Sequence, residues 1–197
     1  FMMGRTYSMM TGCGIWMHHE GKMDFWSSYK DEETMRKNWE IITAYCISKK
    51  SNLVKFWSGA DPQKQGFTSD GVVVGQTWDG PIAAMMKSGE PVAYQTTKEG
   101  ALAWVDGITM SAKAENRDEA YELINYSFTP EVGGLTINEI GYNSAVIGAS
   151  DHYSPETKAL SQAIYPGDTA SNLNPWPPEP PWFDAARSEY ANKFETA

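Results

Sequence analysis

The chain has 197 residues, 41% hydrophobic and 21% charged, enough for one good core or two small lobes of an ordinary globular protein. Its net charge of −9, with no basic stripe, argues against a nucleic-acid partner, because phosphates would meet nothing to neutralise them. No apolar run is long enough to span a membrane and no signal peptide is present, but the opening Phe1-Met2-Met3-Gly4 reads as mid-domain sequence, so compartment stays open.

In chain order, Arg5–Glu20 reads as a methionine-rich helix closed by Gly21, with Gly12 and Gly14 implying close packing against a neighbour. His18, His19 and Glu20 adjoin in it, yet adjacent helical residues point about 100° apart and no HExxH spacing follows, so no zinc site is expected. Cys13 and Cys46 fit no metal spacing; both fall in predicted helices, and the sequence leaves open whether they pair. After a polar, aromatic loop at Gly21–Lys30, Asp31 caps a helix over Glu32–Ser48 whose apolar face is Met35, Trp39, Ile42 and Cys46. Leu53–Trp57 is a short strand and Asp61–Asp70 a helical turn.

The stretch from Gly71 to Asp106 organises the rest. Val72, Val73 and Val74 form a β-branched run of the kind that fills a buried strand. Thr77 to Gly80 break it, Pro81 suits the first position of a helix running to Lys87, and Ser88-Gly89 end that helix. Val92–Gln95 and Ala101–Met110 are two further predicted strands.

Two Trp-Asp pairs in this stretch look chemical. Trp78 and Asp79 sit where a strand hands over to a helix, the place where α/β sheets bind ligands. Trp104 and Asp106, two apart on a predicted strand, would leave the same face. An indole beside a carboxylate suits an organic cation, through cation–π attraction and charge-assisted hydrogen bonds. The alternative is that the tryptophans are core and the aspartates cap turns. Asp79 and Asp106 also make a formal acid/base pair, but no nucleophile elbow, phosphate-cradling loop or metal set accompanies them, and no catalysis is expected.

Beyond Met110, Asn116 and Glu119 form a capping-box signature for a helix over Arg117–Phe128, with Ala120, Leu123, Ile124 and Phe128 on its buried side. Thr129-Pro130 opens another helix to Ile140, Gly141–Ile147 is extended, and Ser154-Pro155 starts a helix to Ile164. The proline-dense NPWPPEPPW at 174–182 is a rigid surface loop, followed by an amphipathic helix to Phe194.

Several blocks, in order, resemble the carboxy-terminal half of the bacterial extracellular solute-binding proteins of the spermidine/putrescine type, which feed ABC transporters. They are GVVVGQTWDG at 71–80, EGALAWVDGITM at 99–110, NRDEAYELINYSFTPEVGG at 116–134 and IGYNSA at 140–145. The resemblance implies an α/β fold, a periplasmic-binding-protein-like (type II) lobe with crossing strands and the first lobe largely missing. It places 1–103 and 152–197 in the second lobe and 104–151 in the first. It also implies a non-catalytic role without cofactor or metal, periplasmic or extracellular, capturing a polyamine or other small amine and delivering it to a permease in the inner membrane. Trp78, Trp104 and Asp106 correspond to family cleft positions, and Asp79 stands in for a carboxylate that falls near Pro81. The family's early glutamate would fall near Arg5-Thr6-Tyr7, where no acid stands; Arg5 instead suits a ligand that carries a carboxylate. A lobe without its partner would expose apolar surface and invite a homodimer or other protein contact in place of small-molecule binding.

Overall fold

The computed structural model describes residues 1–5 and 10–197. In chain order the regular elements are β1 (Met2–Gly4), α1 (Thr11–His19), α2 (Glu32–Ser48), β2 (Lys55–Trp57), α3 (Ala60–Thr68), α4 (Asp79–Lys87), β3 (Ala101–Ala103), α5 (Arg117–Ser127), α6 (Pro130–Ile140), α7 (Pro155–Ile164), β4 (Leu173–Pro175) and α8 (Phe183–Thr196). The result is helix-rich with two small parallel sheets, β1 beside β2 and β3 beside β4. The chain divides into two compact units, one of Phe1–Trp78, Thr97–Ala103 and Asn172–Ala197, the other of Asp79–Thr96 and Trp104–Ser171.

The first unit is built on α2. Asp31 is extended and its carboxylate accepts from the Thr34 amide at 2.7 Å, which starts the helix where the sequence places it. Met35, Trp39, Ile42 and Cys46 recur at helical spacing, and all four are buried. Against that stripe pack Ile15 and Met17 of α1, Phe25 of the following short 3-10 turn, and Phe183, Ala186 and Phe194 of α8. Phe183 is gripped between rings: Tyr29 stacks on it at 4.5 Å and Trp39 meets it edge-on at 6.3 Å. Outside the apolar seam, Arg36 holds Glu32 of its own helix and Glu189 of α8, and Lys193 of α8 reaches back to Glu40. Where the sequence predicts a helix from Arg5, residues 6–9 lie outside the described residues and α1 itself begins at Thr11.

The predicted valine strand is a correction. Only Val72 is buried, while Val73 and Val74 are 86% and 66% exposed. The segment touches β1 through one bridge, Met2 to Gly75, with the Met2 amide donating to Val74 and the Gln76 amide to Met2. β1 is only three residues long and already pairs with β2, so a single rung forms and the β-branched run has no ladder to join. Likewise Val92–Gln95 is irregular, and the third predicted strand stops at Ala103. Its partner β4 ends at Pro175, inside the proline-dense loop, and so sets that length.

The second unit is helical among its described residues. α7 begins at Pro155 as expected, with the Ser154 hydroxyl accepting from the Thr157 amide at 3.0 Å. α6 follows Thr129-Pro130 and ends at Gly141. α5 departs from expectation twice. Asn116 does not cap it, its backbone not being extended; instead the Arg117 guanidinium donates to the carbonyls of Ala112 and Ala114. And α5 contains no buried residue: Leu123 is 65% exposed, α5 packing chiefly against α6 and only lightly.

Candidate functional site

Asp79 opens α4, so its carboxylate stands at the positive end of the helix dipole, where an anion is favoured. The chain reaches the same point twice more, each time just past a helix terminus. Tyr165, the residue after α7, donates its hydroxyl to Asp79 Oδ2 at 2.5 Å. Tyr142, two residues beyond α6, lies flat on the backbone of Gly80: a Cβ added there would stand 2.3 Å from the Tyr142 Cζ. Gly80 is therefore a residue of close approach, and any side chain on it would expel the ring.

The electrostatics follow from this crowding. Burial, then the bond to Asp79 and its charge, push the Tyr165 hydroxyl well above the usual phenol range. Burial first and the Asp79 charge second push Tyr94 up to about 12. Tyr142 is raised by burial and then by the charges of both Asp79 and Asp106. At neutral pH the three phenols stay protonated and uncharged. A small cavity of about 60 Å³ behind Tyr142 and Tyr165, lined by Ala83, Ile137, Leu160 and Ile164, is room for a few waters and no more. What the cluster can do chemically is present carboxylate oxygens and aromatic rings to a cation at its surface.

The predicted residues are distributed as follows. Asp79 and Asp106 both bear on Tyr142 in the second unit. Trp104 and Asp106 are exposed and follow β3 instead of lying on it, so the strand-face argument that paired them does not apply. Trp78 belongs to the first unit, where its ring meets Trp57 edge-on at 5.2 Å and its amide donates to Gln63 Oε1 at 2.8 Å. Arg5, in the same unit, makes a two-pronged ion pair with Glu195 of α8, at 3.1 and 3.2 Å.

Tyr94, Tyr142 and Tyr165 were not predicted as site residues. The local signal was a tyrosine set immediately after a helix stop, in Ile140-Gly141-Tyr142 and Ile164-Tyr165-Pro166. Sequence reasoning also could not see that Glu99 comes within reach of His19 and Glu20, whose donor atoms lie within 4.8 Å of one another on the surface. Lys98 lies 3.8 Å from the Glu99 carboxylate and competes for it.

This cluster of phenols and carboxylates lies in a helix-rich chain with small parallel sheets. The family described as bacterial extracellular solute-binding protein matches residues 4–163, and the chain belongs to it. Among curated relatives, it is similar to the spermidine/putrescine-binding periplasmic proteins of Salmonella typhimurium and Escherichia coli, each 29% identical over 160 residues, 79% of this chain and 44% of the relative. A putrescine-binding periplasmic protein of Escherichia coli is 29% identical over 123 residues, 62% of this chain and 33% of that protein. The chain thus spans less than half the length of these relatives.

Proposed function

We propose that this chain supplies part of the solute-binding component of a bacterial ABC importer, which captures a polyamine or another small amine in the periplasm and hands it to an inner-membrane permease without chemical change. Asp79, Trp104 and Asp106 of the second unit contact the solute, joined by Tyr142 and Tyr165. Residues 1–103 and 152–197 belong to one lobe of the whole protein and 104–151 to the other, with closure on the ligand as a hinge. The observation that carries this reading is the gathering of Asp79, Asp106 and Tyr142 in one unit. Two carboxylates whose charges both reach one aromatic ring suit a cation with more than one amine, as in the solutes for which the relatives are named. Arg5 is taken up by Glu195, which favours the amine over a ligand bearing a carboxylate.

Calorimetry with spermidine and putrescine tests it. Binding is expected, and Asp106→Ala is expected to weaken it by about 2–4 kcal/mol, the scale of truncating one partner of a desolvated charge pair. Equal affinity in the variant and the parent would remove Asp106 from the site.

One observation favours a second reading. Tyr121, Leu123, Tyr126 and Phe128, on and just after α5, are each at least half exposed, the character of a surface covered by another protein segment or a second copy. A concentration-dependent dimer that binds no amine would select this reading over the first.

A further inference from the structure

α1 and α2 approach closely on both sides of Cys13 and Cys46. Beside Cys13, Gly14 has no side chain, and a Cβ there would stand 3.1 Å from Ile42 Cδ1, one helical turn before Cys46. On the other side, Trp16 and Tyr45 bring their ring centroids to 5.1 Å. Between these contacts Cys13 and Cys46 come together across the α1–α2 seam, near enough for each thiol to perturb the other. Cys46 is buried in the core and Cys13 is half-buried, and both border one apolar hollow of about 540 Å³ with Met3 and Phe194. We propose that Cys13 and Cys46 are a redox-active pair that closes into an intramolecular disulfide, stapling α1 to α2, when the chain meets a small-molecule or protein disulfide.

Exposure gives the two sulfurs different parts: Cys13 is half-buried and open to an oxidant, Cys46 is buried. In keeping with this, the contact with Cys46 lowers the Cys13 thiol and the contact with Cys13, then burial, raises Cys46. Cys13, the more accessible, is the attacking thiolate. It displaces one thiolate from the oxidant and forms a mixed disulfide, its own proton passing to solvent. Cys46 then loses its proton, attacks the Cys13 sulfur and releases the second thiolate. Two protein thiols become one disulfide, and the oxidant's disulfide becomes two thiols, with two electrons transferred. The bond would close a loop across α1, the 3-10 turn and α2, constraining the unfolded chain over the half of the core that contains Phe25 and Trp39.

Oxidised glutathione is the probe. After incubation the native chain should be lighter by two hydrogens, resist alkylation, yield one peptide linking Cys13 to Cys46, and melt about 5–10 °C higher than its reduced form. Cys46→Ala should instead accumulate a stable glutathione adduct on Cys13, and Cys13→Ser should leave Cys46 unmodified in the folded chain. Two thiols still open to alkylation, a stable glutathione adduct on the parent chain, or a disulfide-linked dimer would each overturn the proposal. So would the same rise in melting temperature in a variant lacking both cysteines.

Discussion

The Tyr165 hydroxyl donates to the Asp79 carboxylate at 2.5 Å, joining the residue after α7 to the first residue of α4. The bond fixes which Asp79 oxygen remains free for a ligand. Tyr165→Phe keeps the ring and its packing and removes only the donor. We expect it to weaken spermidine binding by about 1–2 kcal/mol, with the ring's contribution intact, as measured by calorimetry. An affinity equal to the parent's would show that the bond serves folding alone.

Alkaline pH provides a second test through the same phenols. Tyr94 is pushed up to about 12, mainly by burial, and Tyr165 is raised as well. The unfolded chain releases these protons near pH 10 or so, while the folded chain keeps them. Their contribution to stability is therefore complete below about pH 10 and is lost as pH rises toward the folded values, about 12 for Tyr94. Urea midpoints should fall between about pH 10 and about pH 12, and Tyr94→Phe, which has no proton to lose, should flatten the decline. An unchanged slope in both Tyr94→Phe and Tyr165→Phe would contradict the assignment.

Gly80→Ala drives a methyl group into the Tyr142 ring. The expected cost is about 1–3 kcal/mol in denaturant unfolding, the range for overpacking a filled site. Combining it with Tyr142→Ala should recover part of that cost, because the double variant no longer contains the clash. Strict additivity of the two single effects would mean that the ring and the glycine do not touch.

In the first unit, Arg187 has a nearly buried side chain and donates to Glu179 at 2.5 Å and to Asp184 at 2.6 Å. Glu179 is largely covered and Asp184 largely open to solvent. The two partners should therefore be unequal. Glu179→Ala is expected to cost about 1–3 kcal/mol, and Asp184→Ala less than about 1 kcal/mol, by urea unfolding. Equal losses would place the weight of the interaction in charge alone and not in burial.

The sequence was most legible where one helix carried both its stop signals and its apolar stripe. Asp31, the Met35-Trp39-Ile42-Cys46 stripe and Ser154-Pro155 each specify an end or a face by local chemistry, and α2 and α7 stand where those signals put them. Strands were poorly legible, because a strand needs a partner that the local sequence does not name. Val72–Val74 has ideal propensity and finds one rung, while Leu173–Pro175, ending in proline, becomes β4 because Ala101–Ala103 lies beside it. Asp79 and Asp106 were singled out from their neighbours in sequence. Tyr142 and Tyr165 were not, since only the packing of the residues just beyond α6 and α7 against the start of α4 brings them to Gly80 and Asp79. The exposed face of α5 shows the opposite failure: amphipathic spacing predicted burial that nothing in its own unit provides.

The seam between α2 and α8 has a consequence for how the polypeptide is made. Trp39 and Ile42 leave the ribosome before the aromatic side chains that cover them, Phe183 and Phe194, which come after every residue of the second unit has been synthesised. Until then α2 presents its apolar stripe uncovered on that side. The helical second unit, whose contacts are made within residues already synthesised, can consolidate first, so the order of folding runs against the order of synthesis.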